Sequence, residues 1–133
     1  MSTKVKNQTP GISKVLGVFL LGLDIGTTGC KAILFDSNGV LLAKAGREYP
    51  IDFPHPQWAE QDLESVWRLA QEAIREVVSI SSVKEIAALG LSVHGEAVTP
   101  VDQYGNALRP TILGMDTRTD AQNAMAYNMG DIQ

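Results

Sequence analysis

Residues 15–23 read Val-Leu-Gly-Val-Phe-Leu-Leu-Gly-Leu and give way at once to Asp24-Ile25-Gly26-Thr27-Thr28-Gly29. A run that is apolar on both faces belongs inside a sheet, where neither side meets water. The residues after it decide which strands lie beside it. A turn at 26–29 leads to a second strand over 31–35. Asp36-Ser37-Asn38-Gly39 then supplies a hairpin turn with Asn-Gly at its tip, and a third strand runs over 40–48. Strands joined by such short connections pair antiparallel with their chain neighbours, so residues 15–48 are expected to be an antiparallel three-strand meander.

Lys4, Lys6 and Lys14 ahead of the apolar run give it the outline of a signal peptide. Two features oppose that. The run is far shorter than the ~20 residues that cross a bilayer, and it enters Asp24-Ile25-Gly26 where a leader would have small residues for cleavage. A buried strand is the better reading, with 1–13 as a loose tail and 14–133 as one folded unit.

The segment 49–61 holds Pro50, Pro54 and Pro56 and is expected to be an irregular loop. Asp62 then opens a helix as its N-cap. Leu63, Val66, Trp67, Ala70, Ala73, Ile74 and Val77 recur at three- and four-residue intervals as its core face, while Glu64, Arg68, Gln71, Arg75 and Glu76 take the wet face. Trp67 is a core residue on this pattern. A second apolar run at 86–91 reads as a buried strand returning beside the first. A hairpin of 98–101 and 107–108 around a turn at 102–106 comes after it, then a short strand at 111–114. The last helical stretch opens with Thr117-x-x-Asp120 and runs to the chain end with no closing signal. The fold class is α/β: an antiparallel meander joined by a helix crossover to parallel strands.

Composition narrows the function. The 133 residues, 44% hydrophobic and 20% charged, are those of a globular domain. A net charge of -4 with 11 unclustered basic residues argues against a nucleic-acid partner, which needs gathered Lys and Arg. Nor is a membrane partner expected. The single cysteine, Cys30, excludes an internal disulfide and suits a reducing, cytoplasmic compartment.

Three polar clusters fall at strand ends, where α/β sheets place ligands. In the first, 24–31, Asp24 suits a hydrated Mg²⁺, which takes one or two carboxylates plus phosphate oxygens. Gly26 and Gly29 let backbone approach a phosphate, Thr27 and Thr28 offer hydroxyls, and Lys31 a positive charge. A Walker loop is absent, because Gly-Lys-Ser/Thr opening a helix is missing. The same residues equally fit a tight hairpin with Asp24 as a turn residue. The second cluster, Ser92 to Glu96, carries His94 and Glu96, and the bland reading is a solvated loop. The third, 115–118, carries Asp116 and Arg118, and the bland reading is a helix cap plus a surface arginine. Neither His55 nor His94 has partners at metal-ligand spacing.

Taken together, these segments resemble the FGGY carbohydrate kinases. Leu23-Asp24-Ile25-Gly26-Thr27-Thr28-Gly29-Cys30-Lys31-Ala32 is similar to that family's first phosphate-binding motif. Pro56-Gln57-Trp58-Ala59-Glu60-Gln61-Asp62 with Trp67 resembles its Pro-Gly-Trp-x-Glu-x-Asp…Trp segment, and Gly90-Leu91-Ser92 leading to Gly95-Glu96 its sugar-contacting strand end. Leu108-Arg109-Pro110-Thr111-Ile112-Leu113-Gly114-Met115-Asp116-Thr117-Arg118 resembles its Leu-Arg-Pro-x-Ile-x-Trp-x-Asp-x-Arg block, with Gly114 where the family carries tryptophan.

The resemblance implies an actin-like ATPase (ribonuclease H-like) fold, here truncated, and ATP-dependent phosphorylation of a sugar or polyol hydroxyl with Mg²⁺. By it, Asp24 is the metal-site aspartate, Gly26, Thr27, Thr28, Gly29 and Lys31 face the phosphates, and His94, Glu96, Asp116 and Arg118 belong to the sugar pocket. The general base and adenosine site are expected beyond residue 133, so no catalytic residue is assigned within the chain and it is expected to be inactive alone. Apolar surface left open by the missing half gives an expectation of homodimers. The alternative from another class is a non-catalytic actin-like module that binds a nucleotide or a partner.

Overall fold

The computed structural model describes residues 17–130. The expected tail at 1–13 and the start of the apolar run at 15–16 lie outside them. The elements are β1 (Phe19–Ile25), β2 (Gly29–Asp36), β3 (Leu41–Glu48), β4 (Glu60–Gln61), α1 (Leu63–Ser81), β5 (Ala88–Val93), β6 (Thr111–Ile112) and α2 (Asp120–Asn128). The main sheet has strand order β3-β2-β1-β5, antiparallel through the meander and parallel between β1 and β5.

Local chemistry accounts for the meander. The β2–β3 turn is an Asx turn in which the Asp36 carboxylate accepts from the Asn38 and Val40 N–H groups at 2.8 and 2.9 Å. Gly39 sits at φ 81°, in the left-handed region. Those bonds, the Val40 N–H foremost, hold the Asp36 carboxyl below the usual range.

α1 begins as expected. The Asp62 carboxylate accepts from the Glu64 N–H at 3.1 Å and the Ser65 hydroxyl at 2.7 Å. The helix closes on Ser82 in the left-handed region, whose N–H donates to the Val78 carbonyl at 3.0 Å. Its buried residues are Val66, Ala70, Ala73, Val77 and Ser81. Small Ala70 and Ala73 bring it down onto Leu21, Leu23, Ala32, Leu34, Ala43 and Ala45, and this two-layer packing is the core. Burial within it pushes the Cys30 thiol up. Arg47 of β3 pairs with Glu76 at 2.7 Å and Glu72 at 3.6 Å, tying the sheet to the outer side of α1.

Several expectations need correction. Trp67 is not core: it is 51% exposed, because the face turned to the sheet is centred on Val66 and Ala70, and position 67 lies about 100° round the helix from 66. The returning strand is real and parallel, but it spans Ala88–Val93 and every residue of it is exposed. The reason is its place at the sheet edge, while α1 packs over β2 and β3. It is also the main sheet's only strand parallel to β1 among the described residues.

The supposedly irregular 49–61 segment contributes β4, which pairs with β6 in a separate two-stranded sheet. The expected 98–108 hairpin reduces to a single Val101–Ala107 bridge around an Asx turn at Asp102. α2 starts at Asp120 behind Thr119, and no side chain caps it, so the Thr117-x-x-Asp120 box does not form. The helix also closes before the chain end: Gly130, at φ 75°, donates to the Tyr127 carbonyl.

Candidate functional site

β1 ends at Asp24-Ile25 with β2 on one side and β5 on the other. Asp24 stands in register with Lys31 across the antiparallel pair and with Ser92 across the parallel pair. Its exposed carboxylate has no hydrogen-bond or ion-pair partner among the described residues.

The turn beside it is held from behind. The Tyr49 hydroxyl donates to the Gly26 carbonyl at 2.7 Å, the Gln61 amide to the Thr27 carbonyl at 2.9 Å, and the Tyr49 N–H to the Thr28 carbonyl at 3.1 Å. Each carbonyl of the turn is thereby committed inward. The Thr27 and Thr28 N–H groups and hydroxyls have no partner among the described residues. A turn with its acceptors occupied and its donors free is a polar concavity suited to an anion. Burial pushes the Tyr49 phenol up to about 12, so it stays a donor across the physiological range.

Both glycines of the turn also have an internal cause. A Cβ on Gly29 would lie 2.6 Å from the Arg47 carbonyl oxygen, and one on Gly26 3.3 Å from the Gly29 carbonyl oxygen. The hairpin closes because Gly29 lacks a side chain, and Gly26 keeps the contact behind it from being tight.

The second cluster folds back onto the first. The His94 N–H donates to the Ile25 carbonyl at 3.0 Å, and Nδ1 of its ring lies 3.2 Å from the same oxygen. Its Nε2 is buried without a partner. The ring lines a cavity of about 230 Å³ with Gln61, Trp67, Thr99 and Thr111. Glu96 adopts a left-handed backbone at φ 62°, uncommon for a residue with a side chain. Its carboxylate stands over Gly114: a Cβ there would be 3.3 Å from Glu96 Oε2.

The third cluster is an ion-pair network. Arg118 grips Asp116 through Nε and a terminal nitrogen, both at 2.7 Å, reaches Glu60 at 2.8 Å, and lies 3.8 Å over the Trp58 ring. Asp116 also accepts from the Ala59 N–H at 2.7 Å, leaving its side chain 2% exposed. The guanidinium of Arg118 holds the Asp116 carboxyl well below the carboxylate range and lowers Glu60 too, while its own pKa rises. Arg109 adds a second cation on Glu60 at 2.8 Å. These groups bind the 57–61 segment to the 113–118 segment and fix Gly114 beneath Glu96.

Hydrogen bonds thus join the Asp24 strand end to His94, and Glu96 meets the third cluster at Gly114. Asp116 spends its oxygens on Arg118 and the Ala59 N–H, and Arg118 spends its donors on Asp116 and Glu60. Sequence reasoning missed Tyr49 and Gln61, which position the turn, and Glu60, Trp58 and Arg109, which complete the network. Gln61 and Glu60 carry a signal in hindsight, as polar residues in a segment that turns out buried.

Among the described residues no three His, Cys, Asp or Glu side chains converge as a metal cage. A lone free carboxylate fits instead a largely hydrated Mg²⁺ completed by phosphate oxygens.

Residues 19–132 match the model of the FGGY family of carbohydrate kinases, N-terminal domain. A glycerol kinase from Acaryochloris marina is 38% identical over 118 residues, covering 86% of this chain and 24% of that protein. A xylulose kinase from Escherichia coli is 34% identical over 98 residues, covering 74% of this chain and 20% of that protein. The crystal structure of xylulose kinase from Rhodospirillum rubrum superposes with a TM-score of 0.78 at 31% identity, covering 85% of this chain and 24% of that one. The chain therefore spans about a quarter or less of the length of these relatives. The likeness establishes the actin-like ATPase fold, of which this chain carries an α/β portion with a mixed sheet.

Proposed function

The chain belongs to the FGGY family of carbohydrate kinases, and on that premise we propose that it serves the ATP-dependent phosphorylation of a sugar or polyol hydroxyl. It contributes the phosphate- and Mg²⁺-facing hairpin and part of the sugar pocket, while the general base and adenosine site come from sequence beyond residue 133. The chain alone then has no turnover. Phosphoryl transfer asks a protein mainly to position groups and neutralise charge, and the site is built for that.

The observation that carries the reading is the free Asp24 carboxylate beside a turn whose carbonyls are all tied inward. Bound there, Mg²⁺-ATP supplies the transferable phosphoryl group. The protein's part is to orient it. Asp24 would hold the hydrated metal, Thr27 and Thr28 would donate to phosphate oxygens, and Gly29 keeps the hairpin closed. Lys31, in register with Asp24, adds positive charge. Tyr49 and Gln61 act as positioning residues behind the turn.

On the other side, Glu96 accepts hydrogen bonds from two neighbouring hydroxyls, chemistry a polyol offers and a phosphate does not. His94 contributes to the same pocket. Asp116 and Arg118 serve it by holding the 113–118 segment in place. The buried free thiol of Cys30 suits a cytoplasmic setting, and no helix among the described residues is long and apolar enough to cross a membrane.

Asp24→Asn in a complete kinase carrying this sequence tests the reading. The exposed side chain packs against little, so folding should survive while activity collapses. Near-normal turnover with unchanged Mg²⁺ dependence would return Asp24 to a turn residue.

A further inference from the structure

The β1–β2 turn starts at the Ile25 carbonyl, and two donors of a single residue meet on that oxygen. The His94 N–H reaches it at 3.0 Å, and Nδ1 of the His94 ring lies 3.2 Å away. A carbonyl oxygen only accepts, so Nδ1 carries the ring proton that faces it. The peptide unit that follows is held too. The Gly26 N–H donates to the Gly29 carbonyl at 2.9 Å, and the Gly26 carbonyl accepts from the Tyr49 hydroxyl at 2.7 Å. His94 thus fixes the entry to the turn, as Tyr49 and Gln61 fix its interior.

The same residue begins the path to Glu96. Only Gly95 stands between them, so two Cα steps limit the His94–Glu96 separation to about 7.6 Å. The far end of this span rests over Gly114, where a Cβ would lie 3.3 Å from Glu96 Oε2. The middle is unsupported, since a Cβ on Gly95 would meet nothing within 4 Å. The ring itself does not share the surroundings of Glu96. It lines its cavity with Leu63, Val66, Trp67 and Thr99, and neither Glu96 nor Gly114 belongs to that lining. Nδ1 is spent on backbone and Nε2 is buried, which leaves no ring nitrogen for a sugar held at Glu96.

We infer that His94 is a positioning residue: its two donors on the Ile25 carbonyl set the span between the phosphate-facing turn and the Glu96 carboxylate, and its imidazole does not touch the sugar. The inference rests on the kinase reading and specifies how His94 serves that pocket. Phosphoryl transfer needs the attacking hydroxyl in line with the phosphorus, and a misplacement of about 1 Å can cost about a hundredfold in rate. Releasing one end of the span should therefore slow the chemical step and leave the contacts that hold each substrate intact.

Steady-state kinetics of His94→Leu and His94→Asn in a complete kinase carrying this sequence tests it. The asparagine amide nitrogen hangs from Cγ as Nδ1 does, so it can keep the bond to Ile25. His94→Leu should lower kcat about ten- to a hundredfold with the sugar and ATP KM each within about twofold of the parent, and His94→Asn should recover most of the loss. An unchanged kcat in His94→Leu overturns the inference. So does a raised sugar KM at constant kcat, which would place the ring on the sugar, and so does a His94→Asn enzyme as slow as His94→Leu. Should His94→Leu misfold, the ring 15N shifts of His94 in the parent decide: a proton on Nδ1 is expected, and a proton on Nε2 alone overturns the inference. A parent that phosphorylates no sugar or polyol refutes the kinase reading itself, whereas the other adverse results, read in an active parent, refute only the role of His94.

Discussion

Replacing Gly29 by alanine should damage the hairpin through the backbone of β3, before any ligand is involved. An ideal Cβ at Gly29 lies 2.6 Å from the Arg47 carbonyl oxygen, 3.5 Å from Glu48 Cα and 3.6 Å from the Arg47 carbonyl carbon. Carbon-to-oxygen contacts settle at ~3.3 Å or beyond, so the strands must part by about 0.7 Å. What must move is backbone, fixed by the register Gly29↔Glu48 and Cys30↔Arg47. A shift of that size carries the 3.1 Å bond from the Tyr49 N–H to the Thr28 carbonyl out of range.

Overpacking of this kind costs about 1–3 kcal/mol, and a weakened hydrogen bond adds about 1 kcal/mol. The smaller entropy of the unfolded alanine chain returns about 0.4–1 kcal/mol. The net is a loss of about 1–3.5 kcal/mol, or roughly 3–14 °C in Tm for a chain of this size. Urea unfolding monitored by tryptophan fluorescence reads it directly. Gly90→Ala is the control: nothing lies within 4 Å of its Cβ, so it should be neutral or stabilising by about 0.5–1 kcal/mol. A Gly29→Ala chain as stable as the parent, or an equal loss at Gly90, would falsify the steric account.

The same geometry sets other expectations. Leu34 is fully buried beneath α1, so Leu34→Ala should cost about 2–5 kcal/mol in the same assay. The Tyr49 phenol is raised from 10.0 to about 12 in the folded chain, so stability that is complete below pH 10 should fall as pH rises to 12. Tyr49→Phe should flatten that decline in an alkaline unfolding series. Asp116 and Glu60 are lowered from 3.8 and 4.5, so their contribution is present at neutral pH and is lost as pH drops below about 4. Arg118→Gln should blunt this acid limb, measured by circular dichroism. Gly114→Leu pushes a side chain into the place of the Glu96 carboxylate. In a complete kinase it should raise the sugar KM severalfold and spare both the ATP KM and the Tm.

The meander was legible because its signals are local: Asn38-Gly39 needs one turn type, and Asp62 caps the very helix it precedes. Residues 49–61 were not. Their prolines announce a loop, but β4 exists only because residues 111–112, fifty positions on, lie beside it. Trp67 and β5 failed for another reason. Hydrophobic period reports that a face is apolar and not whether anything covers it, and at both places the described chain supplies no cover. In the site, Asp24 and the Gly-Thr-Thr-Gly turn could be found from residue types at a strand end. The Tyr49 and Gln61 bonds to that turn could not, since they join residues 23 and 34 positions apart. Nor could spacing reveal that Arg118 faces Glu60 and Trp58 as well as Asp116.

The function proposed for this chain puts one side of a sugar site at Glu96, next to a phosphate site at the β1–β2 turn. Steady-state kinetics of Glu96→Gln in a complete kinase with this N-terminal sequence tests it most directly, with ADP release measured over sugars and polyols. A hydrogen bond to a charged group is worth roughly 1.5–3 kcal/mol, so the sugar KM should rise about ten- to a hundredfold while the ATP KM stays nearly constant. If neither constant moves, or only the one for ATP, the sugar is not held at Glu96.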